Sequence, residues 1–153
     1  MPLKRFFDRR VISLLMIIFL YAGVQTAICQ DSAKIWEDSS TGLMWTVEDS
    51  GNDVNWSQAN DYCESLTLGG HTDWRLGTIE ELEGLYDRNL KKEYKVKGSI
   101  NLQAANVWSA SKNDLGDSWI FNFGYGGTSI ASGGGGGCSA VGRALCTRRA
   151  GSK

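Results

Sequence analysis

The spacing of apolar and polar residues predicts a β-rich start, two short amphipathic helices and a β-rich end. Five segments are rich in aromatic and β-branched residues, or alternate between apolar and polar positions, and each favours a strand. A Ser/Thr/Gly turn at 39–42 separates the first two of them. The order of strands, helices and strands predicts an α+β fold with a mainly antiparallel sheet. The predicted strands are residues 34–38, 43–47, 107–111, 118–123 and 143–148.

The first helix has clear sequence signals at both ends. Asn55 can cap it, and Gln58 stands three residues later in the capping-box position. Gly69 and Gly70 end it. Apolar side chains recur at the i, i+3, i+4 and i+7 spacing of one buried helix face, which consists of Ala59, Tyr62, Cys63 and Leu66.

A short extended segment precedes the second helix. Alternation places Trp74 and Leu76 on one face of this segment, and Asp73 and Arg75 on the other. The helix then opens at Thr78, with Glu81 completing a second capping box. Its apolar stripe consists of Ile79, Leu82, Leu85 and Tyr86.

Two segments lack a periodic pattern. Residues 87–106 form a polar connector whose lysine cluster is typical of a solvated surface. Residues 124–137 are dominated by Gly, Ser and Thr, which favours a flexible loop. A phosphate-binding loop would need G-K-[ST] before a helix, and the glycine run leads instead to Cys138 and Ser139.

The N-terminus has the pattern of a secretory signal. Four basic residues precede an uncharged, mostly apolar run at 11–24, which is short for a membrane span of roughly 20 residues. We expect a signal peptide at 1–29 and a single domain at 30–153. Two alternatives are lipidation at Cys29, disfavoured by the large Ile28 before it, and an uncleaved anchor.

Removal of the signal changes the charge only slightly. Taking four Lys/Arg and one Asp from 16 basic and 17 acidic residues leaves a net charge of about −4. This mild value argues against a general role at nucleic acid or membrane surfaces. We therefore expect no nucleic-acid partner and no membrane span after cleavage.

The three cysteines of residues 30–153 fit an exported protein, and a single disulfide among them leaves the third without a partner in this set. We expect a bridge between Cys63 in the first helix and Cys146 in the last strand, with Ala144 and Cys146 on one side of that strand. Pairing of Cys138 with Cys146 is the competing arrangement. Cys138 is otherwise free, or pairs with Cys29 if that residue survives processing. No spacing resembles a zinc site.

The motifs along the chain resemble, in order, those of the DUF1566 family, also called the Lcl C-terminal domain after a collagen-like bacterial adhesin. One departure is Gly77, where the family usually has a proline that would fix the backbone at the helix start. The matching motifs are D-x-x-T-G-L-M-W at 38–45, W-x-x-A-x-x-Y-C at 56–63, G-x-x-D-W-R-L-P-x-x-x-E-L at 70–82, W-S-A at 108–110 and L-C-T-R at 145–148.

The resemblance implies a C-type-lectin-like fold, in which a disulfide joins the first helix to the last strand. It also implies an exported bacterial binding module whose relatives mostly have unknown ligands. The motifs of calcium-dependent lectins are missing, since the only proline is Pro2. Asp49, Asn52 and Asp53 offer oxygen ligands for calcium, but a solvated loop is the favoured interpretation. We therefore expect no cofactor and no metal.

Catalytic signals are weak. His71 is the only histidine, no serine lies in a G-x-S-x-G elbow, and the metal-binding cysteines of the formylglycine-generating enzymes have no counterpart. We interpret the residues Asp73, Trp74, Arg75 and Leu76 as a structural motif and most of the six tryptophans as core. We expect a non-enzymatic module, with a related thiol enzyme that uses Cys138 as the less favoured alternative.

The functional expectation is recognition of a glycan or a protein partner at the bacterial envelope through the C-terminal loops. The protein would be periplasmic, on the outer surface or secreted. A structural envelope protein that assembles with other chains is the alternative, which an unpaired Cys138 would favour. The candidate ligand-binding residues are Asn113, Trp119, Asn122 and Tyr125, with Arg75 as a further candidate.

Overall fold

The computed structural model describes residues 33–131 and 141–151. The expected signal segment, the start of the mature chain and Cys138 lie outside these residues. The described elements are, in order, β1 (Ile35–Asp38), β2 (Leu43–Thr46), α1 (Trp56–Glu64), β3 (Arg75–Leu76), α2 (Ile79–Leu85), β4 (Asn106–Lys112), β5 (Ser118–Asn122), β6 (Gly127–Ala131) and β7 (Cys146–Arg149).

The strands form two antiparallel sheets. The first has the order β1-β2-β7-β3, so β7 pairs with both β2 and β3. The second has the order β4-β5-β6 and is built from two consecutive hairpins. The predicted α+β class and antiparallel pairing are confirmed, with the strands divided between two sheets.

Both helices begin as their sequences predict. The Asn55 side chain accepts the N–H of Gln58 at 2.9 Å, and the Gln58 side chain accepts the N–H of Asn55 at 3.0 Å. Thr78 and Glu81 make the same reciprocal pair at α2. The buried face of α1 is narrower than predicted, because Ala59 and Cys63 are buried whereas Tyr62 is 39% exposed.

Two apolar clusters lie on opposite faces of the second sheet. Alternate residues of a strand point to opposite faces. Val107 and Phe121 accordingly join one cluster, with Leu43, Trp45 and α2. Trp108 and Ile120 join the other, with α1 and the disulfide. The second sheet is therefore buried on both faces over this part. Trp45, Trp74 and Trp108 are buried, and Trp36 and Trp56 are partly buried against the two clusters, so five of the six tryptophans contribute to the core or its margin.

The connector at 87–106 contributes to the core, which the sequence did not reveal. Val96, Ile100 and Leu102 are buried in the first cluster. The lysines are partly structural, since Lys97 Nζ donates to Gly84 O at 2.7 Å, at the end of α2. The interpretation of this segment as a solvated connector was therefore wrong for its apolar residues.

The expected disulfide is present between Cys63 in α1 and Cys146 in β7. Their Cα atoms are 5.4 Å apart, and both residues are fully buried. The competing Cys138–Cys146 arrangement is excluded in this structure because Cys146 is already bonded. Ala144 and Cys146 lie in the same apolar cluster, as predicted.

The C-terminal region contains one strand that the sequence did not predict. Residues 127–131, assigned to a flexible glycine-rich loop, form β6 and pair with β5. Residues 143–145 precede the last strand, which begins only at Cys146. Among the described residues, no helix is long and apolar enough to cross a bilayer.

Candidate functional site

The D-W-R-L segment at 73–76 is packed into the fold through its two apolar residues. Trp74 and Leu76 are buried in the second cluster, and Trp74 Nε1 donates to Leu68 O at 3.3 Å. Gly77, where the family usually has proline, is fixed by a main-chain hydrogen bond. Its carbonyl accepts the N–H of Ala110 at 2.8 Å. This hydrogen bond ties the turn at Gly77 to β4.

The two charged residues of this segment make separate ion pairs. Arg75 binds Glu81 through two contacts, Nη1 to Oε2 at 2.8 Å and Nη2 to Oε1 at 2.7 Å, and thereby joins β3 to α2. Asp73 Oδ1 accepts a hydrogen bond from Nε of Arg148 in β7 at 2.7 Å. The side chain of Arg148 is 1% exposed. Arg75, the fifth ligand candidate, is thus engaged in bracing the fold.

Hydrogen bonding determines the ionisation of the Arg75–Glu81 pair. Partial burial raises the pKa of Glu81, but the hydrogen bonds from Arg75 and from the Thr78 N–H outweigh burial, so that pKa lies below its ordinary value. The hydrogen bond to Glu81 raises the pKa of Arg75. Both groups stay charged at neutral pH, as a structural brace requires.

The other four ligand candidates fall at two opposite ends of β5. Asn113 lies in the β4–β5 turn, and Trp119 near the start of β5 is half-buried across from Ile130. Asn122 ends β5, and Tyr125 follows in the β5–β6 turn. An antiparallel strand of five residues spans about 17 Å. The structure therefore brings Asn122 and Tyr125 together and separates them from Asn113.

The two asparagines are held by their own turns. The side-chain oxygen of Asn113 accepts the N–H groups of Leu115 and Asp117 at 3.0 and 2.8 Å. That of Asn122 accepts the N–H groups of Gly124 and Tyr125 at 2.9 and 3.3 Å. Their contacts are typical of turn-forming residues.

Tyr125 is the most exposed aromatic side chain in the described residues, at 69%. Its ring lies over Gly127, in space that a Cβ atom at position 127 would occupy. Asn122 also donates from Nδ2 to Oδ1 of Asn106 at 2.6 Å, and Lys95 Nζ donates to Gly124 O at 2.8 Å. The turn at 122–127 therefore presents an exposed ring on a braced backbone, beside two amides and a lysine.

Sequence reasoning missed Asn106 and Lys95 as neighbours of this turn. Asn106 faces Asn122 across the β4–β5 ladder, so strand register would have been needed to place it. Lys95 belongs to the cluster assigned to a solvated surface. Its N–H donates to Phe123 O at 2.9 Å, which places the connector against the turn.

The loop at 48–54 makes more contacts with the rest of the fold than a solvated loop would make. Asp49 is 5% exposed, and its two carboxylate oxygens accept the N–H groups of Gly51 and Gln103 at 2.8 and 2.6 Å. Asp53 Oδ1 lies 3.0 Å from Nε of Arg143, an ion pair without hydrogen-bond alignment. Within residues 33–131 and 141–151, no cluster of three His, Cys, Asp or Glu could hold a metal ion.

A concave surface lies on the connector at 87–106. A cleft of about 450 Å³ runs between residues 92–96 and 99–102. Val96 and Ile100 are buried beneath it, and Asn101 is exposed at its rim. The cleft combines an apolar floor with polar edges, so it is the alternative location for a small polar ligand.

Of the two residues considered for catalysis, His71 lies within the described residues and Cys138 lies outside them. His71 lies in a tight turn in which its backbone exchanges two hydrogen bonds with Leu68, both at 3.1 Å. Cys63 and Cys146 are joined to each other and are unavailable as thiolates.

A comparison with known families identifies the domain. The family model described as the Lcl C-terminal domain matches residues 34–140, well over half of the chain. The match begins just before β1 and includes the turn at 122–127, and β7 with Cys146 follows it. No curated protein matches the chain. The chain therefore belongs to the Lcl C-terminal domain (DUF1566) family.

Proposed function

We propose that this protein is a non-catalytic binding module of the bacterial envelope that recognises a glycan or a protein partner through the turn at 122–127. The observation that carries the proposal is the exposed Tyr125 ring on a braced turn. An aromatic ring buries a large area at low entropic cost, which makes such rings frequent anchors of binding sites.

The bracing of the turn supports a preformed site. The Asn122 side-chain oxygen accepts the N–H of Gly124, and Lys95 Nζ donates to Gly124 O, so both hold the backbone next to Tyr125. The Asn122 amide is itself fixed by its hydrogen bond to Oδ1 of Asn106. A site that is already ordered loses little entropy on binding. Polar groups next to an aromatic face are the combination that a sugar requires, since it presents C–H groups on one face and hydroxyls at its edge.

The exported location belongs to the same proposal. A buried disulfide persists in oxidising compartments, which supports a periplasmic, surface or secreted protein. The helix-to-last-strand disulfide, the two helices and the two antiparallel sheets support a C-type-lectin-like fold. Neither point depends on the identity of the ligand.

The test is binding of the purified protein to a panel of polysaccharides and envelope proteins. Saturable binding is expected for the wild type, and we expect Tyr125→Ala to weaken it at least tenfold. The matched control is Leu115→Ala, which removes an apolar side chain that is 86% exposed on the other hairpin turn. The panel is run with calcium and with a chelator, and equal binding is expected in both.

Two results would count against the proposal. If Tyr125→Ala and Leu115→Ala bind alike, the β5–β6 turn is not the site. If Asn101→Ala alone abolishes binding, the site moves to the cleft at 92–102. No binding by the wild type to any member of the panel would favour the alternative role, assembly with other chains.

A further inference from the structure

Within the described residues, β6 is an edge strand of the second sheet. The second sheet ends at β6, which pairs only with β5 among the described strands. Thr128, Ser129 and Ile130 are exposed, and Ile130 remains 47% accessible. The sequence Gly-Thr-Ser-Ile-Ala carries no charge and no proline. An edge of this kind offers unpaired backbone groups to another strand.

The other sheet edges in the described chain are protected. β1 carries Glu37 and Asp38, and charges at an edge oppose pairing. β3 is only two residues long. The outer side of β4 is occupied, because the N–H of Trp108 donates to Arg143 O at 2.9 Å and that of Ala110 donates to Gly77 O. Among the described edge strands, β6 is therefore the exception, since none of these protections applies to it.

The register shows which groups of β6 point outward. The N–H of Phe123 donates to Ala105 O at 2.8 Å, in line with the β4–β5 register. Odd-numbered residues of β5 therefore bond to β4, and Ile120 bonds to β6. Ile120 faces Ser129, so Ser129 is tied to β5. It follows that Thr128 and Ile130 direct their N–H and C=O groups away from the sheet.

We propose that a second copy of this chain pairs with β6 through these groups, in an antiparallel arrangement centred on Ser129. In this register Thr128 of each copy faces Ile130 of the other. Each of these two pairs exchanges two main-chain hydrogen bonds, so the contact is symmetric and closed. The result is a continuous sheet of six strands.

The side chains suit a copy of the same strand. Trp119 lies across from Ile130 on one face of the sheet. The pairing would bring Thr128 of the partner copy beside Ile130, which extends this half-buried apolar strip across the dimer. Neutral strands meet without repulsion, whereas a copy of β1 would bring acidic residues together.

The small contact predicts a weak dimer. A standard interface involves roughly 20–30 residues on each side, and β6 supplies five. The dimer should therefore form and dissociate as the protein concentration changes. This inference concerns self-association and does not depend on ligand binding at Tyr125.

The test is sedimentation equilibrium of the purified Cys138→Ser variant, in which this thiol cannot form an intermolecular bridge. The average mass is expected to rise from monomer toward dimer with concentration. Thr128→Lys places a charge on the edge and should keep the protein monomeric. The control Leu115→Lys adds the same charge at the exposed β4–β5 turn and should dimerise as before.

Hydrogen exchange provides a second readout within a single protein. The Thr128 and Ile130 amides should exchange more slowly as concentration rises, while the Ser129 amide, already bonded to β5, should not change. The proposal would be overturned if the Cys138→Ser protein, whose β6 edge is unchanged, stays monomeric at all concentrations. A dimer that survives Thr128→Lys would also overturn it, as would exchange at Thr128 and Ile130 that does not depend on concentration.

Discussion

Single side chains fix the two hairpin turns of the second sheet, and the side-chain oxygen of Asn122 does so beside the candidate site. Replacing Asn122 with Ala leaves the Gly124 and Tyr125 N–H groups without this acceptor. We expect the free energy of unfolding to fall by about 1–2 kcal/mol, measured by urea denaturation. The NMR signals of Tyr125 should shift as well.

Asn113→Ala is the matched control for that prediction, because its oxygen holds the other turn in the same way. A similar loss of stability is expected, without a change in the Tyr125 signals. Unchanged Tyr125 signals in Asn122→Ala would show that the turn does not depend on this residue.

The Glu81 carboxylate predicts a pH effect. Its pKa in the folded protein lies below the unfolded value of about 4.3. A group of this kind stabilises the fold above the unfolded pKa, and this contribution is lost as the pH falls through the folded pKa. Glu81→Gln should therefore be less stable than wild type at pH 7, and the difference should shrink as the pH falls through the folded pKa of Glu81. Thermal unfolding at pH 7 and over a series of acidic pH values measures this, and a constant difference would contradict it.

Residue-level signals were predictable where the interaction is local. Each capping box lies within four consecutive residues, so both were predicted directly from the sequence. The role of Asn122 was not, since an asparagine in a loop serves equally well as a turn former or as a ligand contact. Its partner Asn106 is 16 residues away and is brought near only by strand pairing.

Among the elements, the connector depends on one glycine. Gly98 has φ +66°, and a Cβ there would overlap the ring of Trp36. Gly98→Ala should cost the strain of a left-handed residue, about 1–2 kcal/mol, and in addition displace Trp36 from the first cluster. Gly116→Ala is the control, because its φ is +83° and its Cβ would meet nothing within 4 Å. Equal losses of stability in urea would show that the Trp36 contact is unimportant.

The disulfide ties α1 to β7 across 83 positions of the sequence. Closing a loop of this length stabilises the fold by about 4–5 kcal/mol in the loop-entropy model. The double variant Cys63→Ala/Cys146→Ala should lose about this much, and the two buried cavities add to the loss. Urea unfolding measures the change, and a loss below 1 kcal/mol would contradict the prediction.

Elements were predictable where periodicity or turn chemistry was strong, and less so elsewhere. β6 was missed because Gly127 to Ala131 resembles the glycine-rich sequence after it, and pairing with β5 makes it a strand. The connector was missed because Val96, Ile100 and Leu102 are spaced irregularly, so neither helix nor strand periodicity marks them as core.

At the scale of the whole molecule, both sheets contribute residues to the same apolar cluster. The first cluster contains Leu43 and Trp45 from the first sheet, and Val107 and Phe121 from the second. Neither sheet can keep its buried face if the other unfolds, so we expect one cooperative transition. Far-UV circular dichroism and tryptophan fluorescence should give the same midpoint in urea, and two separate midpoints would contradict this.

The position of β7 governs the order in which the fold can be completed. This strand follows all the other described strands in the sequence, yet it lies between β2 and β3 in the first sheet. A chain that leaves the ribosome or a translocation channel N-terminus first carries an unfilled gap until these residues emerge. Until then Cys63 lacks its partner and the exposed edges of β2 and β3 need shielding. Folding of this protein should therefore be assisted by chaperones that hold the nearly finished chain until its last strand arrives.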